Sequence, residues 1–244
     1  MPALRHDRDR RGRSGEHERA RAAGVVVPAV PAGGGSHLRR SVRHRATAHE
    51  DGPMPTDDLA RWLRALPSLT GSAPPLDLDA LPDDPDDLFR TWITEAVDAG
   101  VPEPHAATLA TVDADGLPDA RTLILKDVGP RGWAFAGTRS SAKGAQLAAN
   151  RAAALAFWWQ PIVRAVRVRG SVEEATAEES AADLAARSAA ARADVDPGGW
   201  VLWRIRPVHV EFWQGSPDRR HTRILFDRVG DAWTRRGAGG EGRA

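Results

Sequence analysis

Phe212-Trp213-Gln214-Gly215-Ser216-Pro217-Asp218-Arg219-Arg220-His221-Thr222-Arg223 continues an apolar, β-prone run that starts at Val208. Gln214 and Gly215 break that run, and Arg219, His221 and Arg223 follow at spacing two. On an extended strand this spacing sets all three side chains on one face. Two guanidinium forks beside one imidazole suit an anion and place a titratable group next to it. A solvated strand edge carries charges too, so spacing alone leaves both readings open.

The rest of the chain narrows the choice. Among 34 basic residues only two are lysines, Lys126 and Lys143. A sequence this rich in Arg and Ala has replaced Lys wherever Arg serves. The survivors mark either chance or positions where a compact ammonium cannot become a planar fork. The 244 residues suit one domain with a tail, and the 41% hydrophobic content is enough for a core. There is no cysteine, which excludes disulfides, thiolate metal sites and a Cys nucleophile. The eight histidines show no metal-ligand spacing, so no metal is expected. No apolar run approaches the roughly 20 residues of a membrane span, and a soluble, cytoplasmic protein is the expectation.

Residues 1–53 carry 11 Arg against six acidic residues, a net of +5; the whole chain is +1, so residues 54–244 hold −4 by difference. The tail has no apolar periodicity and contains Gly33-Gly34-Gly35. It reads as a start placed too early with Met54 the true one, as a disordered basic arm, or as a targeting peptide. The folded part is not basic, so nucleic acid is not an expected partner.

Residues 57–67 and 85–100 read as amphipathic helices, with Asp84 capping the second and Pro85 in its first position. From His105 the period becomes two. Ala107–Val112 and Ala120–Lys126 flank an Asp113-Ala-Asp-Gly turn. Gly132–Gly137 is a third strand, Ser140–Asn150 a helix, and Ala152–Trp159 and Val163–Glu174 further strands. An Ala-rich helix over 177–193 precedes three closing strands near 201–214, 220–228 and 231–235. Many antiparallel strands at hairpin spacing indicate a mainly β fold, a small barrel with peripheral helices. The expected division is a tail (1–53), N-terminal helices and loop (54–104), and barrel (105–237). No G-x-G-x-x-G follows a strand, which argues against a dinucleotide site.

The stretch from Trp213 to Arg223 resembles the C-terminal signature of the pyridoxine/pyridoxamine 5′-phosphate oxidase family, W-Q-G-x-x-x-R-x-H-x-R. Three further segments carry the likeness. Arg121-Thr-Leu-Ile-Leu-Lys126 is similar to an R-x-x-x-L-K element, Ser141-Ala-Lys143 to S-R-K, and Phe157 to Gly170 to F-x-W-x-x-x-x-R-Q-V-R-V-x-G. The resemblance implies an FMN-binding split barrel, Greek-key-like and homodimeric, with flavin between subunits. It implies hydride transfer from C4′ of pyridoxine or pyridoxamine 5′-phosphate to flavin N5 and reoxidation by dioxygen, giving pyridoxal 5′-phosphate. By the same likeness Arg121, Thr122, Leu123, Ile124, Leu125 and Lys126 line FMN. Ser141, Lys143, Trp213 and Arg223 also hold it. Lys126, Arg187, Arg219 and His221 meet the substrate, with Arg219 and His221 as the catalytic pair.

The departures are specific. Ala142 replaces the Arg of S-R-K, with Arg139 a candidate substitute, and Ala165 replaces a Gln that meets the flavin ring. The family's phosphate-holding Y-F-x-x-R-P-R-x-S reads Asp183-Leu-Ala-Ala-Arg187-Ser-Ala-Ala-Ala191, so only Arg187 remains. Asp183 puts negative charge where a phosphate dianion would sit. Three alternatives therefore stay open: a flavoprotein of this barrel with a different, related anionic substrate, a flavin- or B6-binding protein without turnover, and a deazaflavin in place of FMN.

Overall fold

The computed structural model describes residues 59–239, with side chains through residue 237. The tail 1–53, Met54 and the start of the helix expected from residue 57 lie outside the described residues. Helix α1 covers Leu59–Ala65 and buries none of its residues. Helix α2, Pro85–Asp98, begins as its sequence dictates: the Asp84 side chain accepts from the Asp86 N–H at 2.7 Å, and Pro85 needs no donor partner. Its apolar stripe, Leu88, Phe89, Trp92 and Ala96, is buried against the strands.

The strands are β1 (Ala106–Val112), β2 (Pro118–Ile124), β3 (Trp133–Thr138), β4 (Ala152–Trp159), β5 (Arg164–Glu174), β6 (Trp200–Gln214), β7 (Thr222–Val229) and β8 (Ala232–Gly239). They pair antiparallel in the order β2-β1-β4-β5-β6-β7-β8, and β3 pairs the first part of β6. A bridge between Asp127 and Ala134 joins the end of β2 to β3, which closes a barrel. Only the later part of β6 pairs β7, so the β7–β8 hairpin splits away from that closure. This is the split barrel expected from the sequence. Its interior follows the period of two: Leu155 and Phe157 on β4, Val166 and Val168 on β5, and Val210 and Phe212 on β6 are buried. The β1–β2 turn is held by the Asp113 carboxylate, which accepts from the Asp115 and Leu117 N–H groups.

Two elements differ from expectation. The Ala-rich helix is broken into α4 (Ala177–Ala185) and α5 (Ala189–Arg192), with Ser188 capping the second. The break falls where Arg187 turns inward to stack on Trp200, its guanidinium carbon 4.5 Å from the ring centre. Strand β2 ends at Ile124 rather than Lys126, because Lys126 donates its N–H to Ala134 at the barrel closure.

Candidate functional site

The residues singled out by sequence gather in three groups. The first lies where β3 passes into helix α3 (Ala142–Ala149). Ser141 caps α3, accepting from the Gly144 N–H, and also receives the Lys143 ammonium at 3.1 Å. Arg121 reaches the same place from β2, donating to Thr111 Oγ1, Asp119 and Gln146 Oε1, the last at 2.8 Å. Burial, and then the Arg121 charge beside it, push the Lys143 pKa below the usual lysine value. Two cations, a hydroxyl and a helix N-terminus converge here, an arrangement that favours a phosphate monoester. The floor of this group is Gly137, where a Cβ would overlap the Lys143 side chain. The Lys143 head therefore packs directly on the Gly137 backbone.

Arg139 does not take the place of the missing cation at Ala142. Both of its terminal nitrogens donate to Glu174, at 2.6 and 2.8 Å, on the far side of the β3–α3 turn. Thr122 is exposed, Ile124 is half-buried, and Leu123 and Leu125 pack against the core. Gln160, out of reach of the position vacated at Ala165, donates to Thr70 at 2.7 Å.

The second group is a row across four strands. Trp158, Ala165, Trp213 and Arg223 are direct partners along β4, β5, β6 and β7. Cross-strand partners share a face, so these side chains project together. Trp158 is 51% exposed and tilts toward Trp213 at a ring distance of 6.0 Å. The His221 ring follows, 4.9 Å from Trp213. The small side chain of Ala165 leaves the floor between the two indoles low, which makes an aromatic shelf for a flat ring system. Arg223 at its end is paired to the buried Glu211, which also holds Arg167.

The expectation that Arg219, His221 and Arg223 share one strand face is corrected here. Strand β7 begins at Thr222, and Arg219 sits in the preceding turn with φ +66°. Asp218 dictates that turn: its carboxylate accepts from the Ser216 hydroxyl, the Arg220 N–H and the Arg220 side chain. His221 is held differently. The Ser216 N–H donates to its Nδ1 at 3.0 Å, which places the proton of the neutral ring on Nε2. The turn is anchored from below by Arg164, only 1% exposed, whose Nε donates to Gln214 at 2.7 Å and which pairs with Glu95. Gly215 is required there, since a Cβ would lie 2.5 Å from Val163 Cγ1 and 2.8 Å from the Trp213 ring.

The third group joins Lys126 and Arg187. Lys126 Nζ lies 3.8 Å from Asp183, and Asp183 also accepts the Trp200 indole N–H at 2.8 Å. Arg187 stacks on that same indole and keeps its Nε buried without a hydrogen-bond partner.

Within one chain the first and second groups are kept apart. Arg121 pairs with Leu109, and Leu109 with Leu155, on the inward face of the sheet. Trp158 is three residues beyond Leu155 on β4 and therefore faces outward. Along β6, Gly137 of the first group pairs with Val201, twelve residues from Trp213, a strand contour of about 40 Å. Gln146, Thr111 and Glu211 were not singled out by sequence. Gln146 stands three positions after Lys143 and Glu211 two before Trp213, the helix and strand periods that share a face.

Comparison with known proteins agrees with this architecture. The family model described as pyridoxamine 5′-phosphate oxidase matches residues 93–214, and the pyridoxine 5′-phosphate oxidase C-terminal dimerisation region matches 200–237. A pyridoxine/pyridoxamine 5′-phosphate oxidase of Thermosynechococcus vestitus is 41% identical over 184 residues, 63% of this chain and 87% of that protein. One from Salinibacter ruber is 38% identical over 195 residues, 65% of this chain and 90% of that protein. Among solved structures, PhzG from Burkholderia lata, in complex with tetrahydrophenazine-1-carboxylic acid, superposes with a TM-score of 0.64 at 25% identity, covering 69% of this chain and all of that one. The split-barrel scaffold and the matches to named oxidases support a flavin-binding oxidoreductase. The chain belongs to the pyridoxine/pyridoxamine 5′-phosphate oxidase family. Its matched dimerisation region supports a homodimer.

Proposed function

We propose that the protein is an FMN-dependent oxidase that oxidises the C4′ carbon of a B6 vitamer, the family substrate being pyridoxine or pyridoxamine 5′-phosphate. The observation that carries this reading is that Ser141 and Lys143 meet at the α3 N-terminus with the Arg121 charge beside them, an arrangement that favours an anion. These residues fit the phosphate of FMN. The Trp158–Ala165–Trp213 shelf fits its ring, with Arg223 at the end of the shelf. Since the two groups lie on opposite faces of one chain, the reading requires two copies, each giving its phosphate group to the shelf of the other. FMN held there would supply the hydride acceptor, with dioxygen as the terminal oxidant and hydrogen peroxide as its product.

The chain's own residues supply position and charge. His221, with Nδ1 occupied by the Ser216 N–H, presents Nε2–H as a donor to a substrate oxygen. Arg219 adds a guanidinium with no carboxylate partner among the described residues. A residue other than Gly at φ +66° costs about 1 kcal/mol, so the turn holds Arg219 in a conformation that Gly would adopt freely. Arg219→Gly is therefore expected to change stability by less than about 1 kcal/mol and leave flavin bound. It should slow flavin reduction by substrate about 10–100-fold, read by thermal melting and stopped-flow absorbance.

A different substrate on the same flavin scaffold is the second reading, and the Asp183–Lys126 pair favours it, since the carboxylate already occupies one expected phosphate ligand. Anaerobic mixing of the FMN-loaded protein with pyridoxine 5′-phosphate and pyridoxamine 5′-phosphate separates the two. Bleaching of the flavin supports the first reading. A flavin that dithionite reduces but neither vitamer does would move the assignment to the second.

A further inference from the structure

The third group offers a charge balance that differs from that of a phosphate pocket. Lys126 and Arg187 contribute two positive charges, and Asp183 stands with one negative charge against the same indole as Arg187. The sum is +1, matched to a neutral or singly charged group rather than to a dianion. The carboxylate is not free to leave. Its side chain is 14% exposed, and one oxygen accepts the Trp200 N–H at 2.8 Å while the other faces Lys126 at 3.8 Å. Rotating it away would strip Trp200 of its acceptor and Lys126 of its counter-ion together. A dianion entering here meets a fixed carboxylate in a partly dry site, where like charges repel strongly.

We propose that Asp183 sets the substrate specificity of this side-chain group by removing its demand for the 5′-phosphate, so that B6 vitamers bearing a free 5′-hydroxymethyl group bind about as well as their phosphate esters. The inference rests on the B6 reading above and names the substrate class within it. A hydroxymethyl group brings no charge to the carboxylate and leaves the Lys126–Asp183 and Trp200–Asp183 contacts intact. Arg187 has no carboxylate partner among the described residues and is held by stacking on Trp200. Within this group it is therefore the cation left to favour an anionic ligand, and it supplies a weak preference.

Calorimetric titration of the flavin-loaded full chain with 4′-deoxypyridoxine and with 4′-deoxypyridoxine 5′-phosphate tests this without turnover, because neither ligand has an oxidisable group at C4′. The two dissociation constants are expected to agree within about ten-fold. Asp183→Asn keeps an oxygen acceptor for the Trp200 N–H while removing the charge, and should raise the preference for the phosphate at least about ten-fold. Selectivity for the phosphate above about a thousand-fold in the unaltered protein, or a ratio that Asp183→Asn leaves unchanged, would overturn the inference alone. Failure of both ligands to bind a protein that retains its flavin would overturn the B6 reading and the inference with it.

Discussion

Lys143→Met is expected to yield a folded protein that has lost most of its affinity for FMN. The ammonium is the compact cation of the anion-binding group, within 3.1 Å of Ser141 and packed on Gly137. A charge-assisted contact of this kind is worth about 1.5–3 kcal/mol, so FMN should bind roughly 10–100-fold more weakly, as read by fluorescence titration of the apoprotein. Lys143→Arg keeps the charge and should restore binding only in part, since a planar fork differs in shape from the ammonium packed on Gly137. The fold itself should not suffer. Burial holds the Lys143 pKa below 10.5, so between the lowered value and 10.5 the unfolded chain binds more protons than the folded one. Stability of the apoprotein therefore rises with pH across that window, and phosphate binding, which favours the ammonium, takes up a proton there. Lys143→Met should remove both effects. FMN affinity unchanged in the Met variant would mean the phosphate sits elsewhere.

The second large effect is on stability. Arg164 is buried beneath the turn between Trp213 and His221, with its guanidinium carbon 4.1 Å from the centre of the Trp92 ring. Its Nε donates to Gln214, and its charge is matched by Glu95, which is 37% exposed. Arg164→Ala opens a cavity beside Trp92 and leaves Glu95 and the Gln214 oxygen without their partner. The cost is expected to be about 3 kcal/mol, which for a domain of this size lowers Tm by about 6–12 °C. Flavin reduction should slow as well, since Gln214 no longer anchors the turn before His221. Glu95→Gln should cost less, because part of that carboxylate already faces water. A loss below about 1 kcal/mol for Arg164→Ala would show that the stacking on Trp92 and the Gln214 bond are incidental.

Much of the fold was legible because local chemistry and global topology agree. Asp84-Pro85 starts a helix, the Asp113 turn makes a hairpin, and alternation along 152–174 separates core from surface. The two surviving lysines both stand among other charged or polar groups, Lys143 beside Ser141 and Lys126 beside Asp183. The misreadings have a common origin in contacts that periodicity cannot carry. Spacing put Arg219 on a strand, but Asp218 gathers Ser216 and Arg220 into a turn that ends before Thr222. The Ala-rich run carries no Gly or Pro to stop a helix, and the break falls where Ser188 caps α5 and Arg187 stacks on Trp200. Asp183 reads as a charge opposed to substrate, yet its partners Lys126 and Trp200 stand on other elements. Arg139 was a reasonable substitute cation until Glu174 claimed both of its terminal nitrogens.

The most direct test of the composite site uses a dimer of two different variants. A chain carrying Lys143→Met and a chain carrying Arg219→Ala, tagged differently and co-purified, combine one loss at each group. If the phosphate group of one copy serves the shelf of the other, one site keeps both Lys143 and Arg219. The mixed dimer then binds one FMN, reduced by substrate at the unaltered rate. A single bound FMN reduced only at the slow rate of the Arg219→Ala protein would place both groups of the site within one chain and contradict the account.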